Sequence, residues 1–368
     1  MKKIFSKNII RAAVFLCIAA LMVAGFSRVF RFVDAERTNT VMEQFYELEE
    51  DSAECIFFGS SVTQRDYITP VAYHEFGIPA YLIATGTQPF WLTKYLMIEA
   101  LKTQSPKLFV VELKGTCKSV DWTGDVHVRR VVDNMKPSMN KLKAIMALRG
   151  YFPEDINGID STGLSYCFPI IKYHSLWSPN KWPKEYDYVD YYNGYSPKPE
   201  FTFSIRHHDP FVYKEDTLQI DGQTEEALYE LLDFCDTLED TRVLFVMPPY
   251  KASKDGMGKM NYSKEIVESR GYEVLNMLPE ERRQEIGLDN RFSYYDKEHL
   301  NYYGAGIYTE YFFKYLIDNY GLEDMRGKGG HEAWEEEYER LMKDLDTRYS
   351  VMYFDLMHEI DGIRSEGN

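Results

Sequence analysis

Residues 55–63 read Cys55-Ile56-Phe57-Phe58-Gly59-Ser60-Ser61-Val62-Thr63. The opening apolar run is too short for a helix and has no polar alternation, so it predicts a strand buried on both faces. Such strands belong to parallel sheets, whose helical crossovers cover both sides. Gly59 then lets the chain turn sharply, and two serines follow past the carboxyl end of the strand, the edge where open α/β sheets hold their ligands. On its own, Gly-Ser-Ser also reads as a small-residue turn that caps a helix.

Outward from this stretch, similar runs recur at 108–113 (LFVVEL) and 243–247 (VLFVM), with helix-period segments at 90–101, 224–236, 263–269 and 303–320. The alternation predicts an α/β fold with a doubly wound parallel sheet over residues 34–322. Residues 152–221 break the rhythm with many Pro and Tyr, and with Trp177 and Trp182. So long an irregular insert predicts a loop or lid with a function. The flat faces of Trp177 and Trp182 suit sugar rings, while a Tyr-rich flap lying on the core is the plainer reading. Residues 323–368 read as a charged helical extension, loosely held beyond Asp355.

Lys plus Arg number 42 against 58 Asp plus Glu, a net charge of -16 over 368 residues, which excludes nucleic acid as a partner. The first 33 residues carry six cations and no acid. Within them 12–26 is free of charge, and this predicts either a retained transmembrane anchor or a cleaved signal segment. The arginines and apolar residues that follow favour the anchor. Basic residues ahead of the run then place the amino terminus in the cytoplasm and the acidic bulk outside, on a single-pass membrane protein; cleavage would make it secreted. Cys55, Cys117, Cys167 and Cys235 lack the spacing of a disulfide framework or a zinc site. His207-His208-Asp209 is a poor metal pair because adjacent side chains point apart. No metal or cofactor is implied.

Near the end of the α/β region stands Tyr295-Asp296-Lys297-Glu298-His299-Leu300-Asn301. A carboxylate three residues before a histidine faces the same side of one turn, so Asp296 can fix the His299 tautomer and leave the other ring nitrogen to take a proton. A serine hydroxyl needs such a base, being unreactive at its own pKa. Either fragment alone is unspecific, and a surface turn is the plainer reading of each. Elsewhere, His127, Arg129, Arg130 and Asp133 could bind an anion, although a salt-bridged helix face explains them more simply.

Taken in order, Gly59-Ser60-Ser61, then Asp296-x-x-His299-Leu300-Asn301, then Asn301-Tyr302-Tyr303-Gly304-Ala305 resemble the blocks of the SGNH, or GDSL-type, serine hydrolase superfamily. The single amino-terminal anchor and the Gly-Ser-Ser variant are most similar to its envelope branch, the D-alanine transfer protein of teichoic acid and the alginate O-acetylation factors. The resemblance implies a flavodoxin-like sheet, Ser61 as nucleophile, His299 as base and Asp296 as its orienting acid. It implies an oxyanion hole from the Ser61 amide and a second-block glycine, for which Gly86 fits by spacing.

The third-block asparagine is missing, and Glu112-Leu113-Lys114-Gly115 stands in its place, with Lys114 or the Gly115 amide as substitutes. Tyr250, behind Pro248-Pro249, is expected to line the site, and Lys114, Trp177 and Trp182 to touch substrate. The resulting expectation is an extracytoplasmic serine esterase or O-acyltransferase acting on an ester or acylated glycan, with envelope-pathway protein partners. The alternative is a catalytically silent envelope protein of the same fold that binds glycan or protein.

Overall fold

The computed structural model describes residues 2–29, 38–177, 191–197 and 212–366. The chain divides into two compact units, Met1–Arg37 with Gly124–Tyr188, and Thr38–Thr123 with Val189–Asn368.

The second unit holds a parallel sheet of five strands: β1 (Cys55–Gly59), β2 (Ala80–Ala84), β3 (Leu108–Glu112), β4 (Arg242–Met247) and β5 (Glu273–Asn276). They are ordered β2-β1-β3-β4-β5, the flavodoxin-like sequence of a doubly wound sheet. β1, β2 and β3 are buried along their whole length, as double coverage by crossover helices requires. The three apolar runs read from the sequence are β1, β3 and β4. β2, as long as β1, and β5, four residues begun by the charge of Glu273, escaped that reading.

On one face Phe57 meets Tyr67 and Phe312 at ring separations of 4.8 and 5.7 Å, in a core built largely by the helix Tyr302–Tyr320. The helices Glu332–Asp346 and Ser350–Glu366 close that core with Leu341, Leu345, Leu356 and Ile360, all buried. Beyond Asp355 the described tail, through Glu366, is therefore not loosely held. Its apolar residues Leu356, Ile360 and Ile363, spaced at helical intervals, supply the stripe that the charge-dominated reading overlooked. The edge of β2 is covered by a tight turn between Tyr192 and Tyr195, where Leu82 donates to the Asn193 carbonyl. Asn193 and Gly194 both have positive φ, and a Cβ on Gly194 would lie 2.1 Å from the Leu82 oxygen. Asn-Gly between aromatic residues is a strong hairpin signal.

The first unit contains the helices Lys2–Val29, Asp125–Val132 and Met139–Tyr151. Here the expected transmembrane anchor is overturned, because among the described residues no helix is long and apolar enough to cross a membrane. Length is not what fails. Lys2–Val29 spans 28 residues. Its charge-free stretch, 12–27, is only 16 residues, about 24 Å of helix against a hydrocarbon core of about 30 Å. The single-pass membrane location and the outward orientation drawn from it fall with the span.

Candidate active site

In this strand order the chain leaves β1 for β2 on one side and returns to β3 on the other, so the switch point lies between the carboxyl ends of β1 and β3. Ser61 stands just past β1 as the first residue of the helix Ser61–Asp66, with Ser60 as its N-cap. The Ser61 Oγ lies 2.8 Å from His299 Nε2, a contact between residues 238 positions apart. The other ring nitrogen, Nδ1, is 2.9 and 3.0 Å from the two Asp296 oxygens. Because an ionised carboxylate only accepts, Nδ1 carries the ring proton and Nε2 is left to accept from the serine.

Asp296 is fixed in turn, accepting from the amides of Glu298 at 2.7 Å and His299 at 2.9 Å. Burial alone would raise its pKa. The His299 ring and these amides outweigh burial and bring the carboxyl down to about 2. His299 is 8% exposed, and burial is the main reason its pKa falls below the ordinary value; Arg65 and Lys114 push the same way, while Asp296 opposes them. At neutral pH the pair is a carboxylate beside an uncharged imidazole, the protonation state of a general base. One further tie joins the two halves: the Leu300 amide, next to His299, donates to buried Asp66 at the other end of the serine helix, at 3.1 Å.

Glu112, the last residue of β3, carries the local structure that sequence reasoning missed. Its Oε2 accepts from the Ser60 amide at 3.1 Å, the Thr63 amide at 3.1 Å and the Thr63 hydroxyl at 2.6 Å, and its Oε1 from the Ser60 hydroxyl at 2.7 Å. A Cβ on Gly59 would lie 2.0 Å from Thr63 Oγ1 and 2.7 Å from Glu112 Oε2, so only glycine fits inside this clamp. The available signal was a carboxylate ending a run of buried apolar residues, which needs several partners to be tolerated.

Of the other candidates, Gly86 lies in the turn after β2. That turn reaches the same sheet edge, because Gly59 pairs with Ala84 and the Thr85 amide donates to the Gly59 carbonyl at 3.4 Å. The Ser61 amide donates to no acceptor among the described residues. Lys114 Nζ binds Glu298 Oε2 at 2.8 Å and lies 4.8 Å from the centre of the Tyr250 ring, so it serves the histidine loop. Tyr250 is buried beneath it. Trp182 and the side chain of Trp177 lie outside the described residues, as do His207, His208 and Asp209. None of the five cysteines is paired.

No protein-family model and no curated protein matches the chain. Among solved structures, a candidate acylhydrolase from Bacteroides fragilis is similar over 78% of this chain and 100% of its own, at 10% identity and a TM-score of 0.37. A diltiazem-metabolizing enzyme of a gut microbe is similar over 72% of this chain, at 11% identity and a TM-score of 0.36. The match spans about half of that enzyme's length, 47%.

Proposed function

We propose that the chain is a serine-dependent acyl hydrolase or acyltransferase of SGNH type, acting on an ester through an acyl-Ser61 intermediate. The observation that carries this reading is the Ser61 Oγ to His299 Nε2 hydrogen bond, with Asp296 on the opposite ring nitrogen. His299 takes the hydroxyl proton as the Ser61 oxygen attacks the ester carbonyl. The charge that develops on the carbonyl oxygen meets the Ser61 amide. As the tetrahedral intermediate collapses, the carbon to alkoxide bond breaks and the imidazolium returns the proton to the leaving alcohol. Water, or a second hydroxyl, repeats the sequence on the acyl-enzyme with His299 again as base. Throughout, Asp296 holds the ring and stabilises its charged form without taking the proton. An acylated glycan is the substrate class first to be tried, by product analysis with an O-acetylated polysaccharide.

A catalytically silent binding protein is the second reading, favoured by Glu112 standing where the resemblance calls for an asparagine donor. Fluorophosphonate labelling of the full chain separates the two. Covalent labelling that disappears in Ser61→Ala and slows at least about 10³-fold in His299→Ala supports the enzyme. A folded wild-type protein that never labels is the binder.

A further inference from the structure

The histidine loop and the serine turn lie far apart in the second unit's chain, and the segment from Glu112, at the end of β3, to Lys114 touches both. Glu112 holds four donors of the turn Ser60–Thr63, at 2.6 to 3.1 Å. Two residues on, Lys114 reaches the other way to Glu298, the neighbour of His299. Both side chains are nearly buried, Glu112 at 5% and Lys114 at 8% exposure, in a region where an unpartnered charge would be costly. The backbone adds a second link to the loop, where the Lys251 amide donates to the Lys297 carbonyl at 3.1 Å.

We propose that Glu112 and Lys114 are the positioning residues of this site: Glu112 fixes the turn that presents the Ser61 hydroxyl, and Lys114, through Glu298, fixes the loop that presents His299. The proposal rests on the function given above. It explains why the segment after β3 departs from the asparagine of the resembled family. The position serves as a brace joining nucleophile and base. Neither residue contacts the reacting atoms.

The two arms make different demands. A carboxylate is the natural receiver of four donors, but an amide of the same shape can nearly replace it. The glutamine oxygen takes the three donors now on Oε2, and the Ser60 hydroxyl reverses to accept from the new NH2. Alanine removes the receiver altogether and leaves the buried amides of Ser60 and Thr63 unsatisfied. For Lys114 the ion pair has an electrostatic sign. The charged groups facing His299 are Asp296 and Glu298 on its own loop, Arg65 on the serine helix and Lys114 beyond β3. Removing Lys114 leaves Glu298 uncompensated and stabilises imidazolium, while removing the Glu298 charge leaves Lys114 uncompensated and does the opposite.

The test is the rate of fluorophosphonate labelling of the full chain as a function of pH, read beside thermal unfolding. Glu112→Ala is expected to label about 10²-fold more slowly with little change in probe affinity, and Glu112→Gln to stay within about fivefold of wild type. Relative to wild type, the acid limb is expected to move up by about half a pH unit in Lys114→Met and down by a similar amount in Glu298→Gln. Folded Glu112→Ala protein labelling at the wild-type rate, or Gln and Ala variants equally slow, overturns the Glu112 arm. Limbs that move together, or not at all, overturn the Lys114 arm. Wild-type protein that does not label, or labels independently of Ser61, overturns the proposed function itself and this inference with it. Ser61-dependent labelling with insensitive Glu112 and Lys114 variants overturns the inference alone.

Discussion

Two buried ionic networks, one in each unit, look alike in sequence and differ in what they leave open. In the first unit, Arg129 is fully buried and every guanidinium nitrogen is engaged: Nε with Asp125 at 2.9 Å, Nη1 with Asp133 at 3.1 Å, and Nη2 with the Ser165 hydroxyl at 2.7 Å. The Tyr166 ring covers it, its centre 4.2 Å away. Burial pushes the Asp133 carboxyl up to about 6 even though Arg129 opposes it. This network is closed around the buried Arg129, the salt-bridged helix face that is the simpler reading of HVRRVVD. In the second unit the chain of bonds from Asp296 through His299 ends on a serine hydroxyl that is only partly buried. What sets the proposed catalytic network apart from the structural one is not charge alone. It is an end group that can exchange its proton, placed at the open edge of the sheet.

That contrast can be broken, beginning with the largest effect. Asp296→Asn removes the acceptor that fixes the His299 tautomer, and labelling is expected to fall about 10⁴-fold in a protein whose circular dichroism is unchanged; near-normal labelling would remove Asp296 from its role. Arg129→Met strands the buried Asp133 carboxylate, while half-buried Asp125 keeps Lys172 and Tyr166, and is expected to cost about 3 kcal/mol of stability in denaturant unfolding. The molecules that remain folded should label at the wild-type rate, and a matching loss of labelling would erase the distinction between the two networks. Gly59→Ala drives a methyl group into Thr63 and Glu112, and is expected to lower both stability, by about 1–3 kcal/mol, and labelling. The smallest effect concerns pH. Buried His299 resists protonation, so labelling should persist on acidification until a midpoint below the ordinary histidine value of 6.5. A midpoint above that value would mean that the imidazole is not held in its neutral form.

How much of this was legible follows from particular residues. Cys55–Phe58 announced a doubly buried strand because so short an uninterrupted apolar run, bounded by glycine, suits a strand covered on both faces rather than a helix. Asp296 and His299 were readable as a local pair because three residues make one turn, and their ordering relative to Gly59-Ser60-Ser61 named the partner. Glu112 was visible as an oddity and opaque as a clamp, since its four donors lie 49 and 52 positions away in the chain. The amino-terminal run misled because a basic flank and an apolar stretch satisfy the same pattern whether or not the apolar length suffices.

The sequence by itself determined the strand and helix alternation, the residue types able to move a proton, and the local pairing of Asp296 with His299. All of these depend on periodicity and on intrinsic chemistry. Tertiary structure alone decided that β1 and β3 lie side by side at the switch point, that Glu112 grips the serine turn while Lys114 holds the histidine loop, and that Arg129 is saturated. Those outcomes depend on which distant segments share a sheet edge, and hydrogen bonds of 2.6–3.1 Å cannot be foreseen from spacing along the chain.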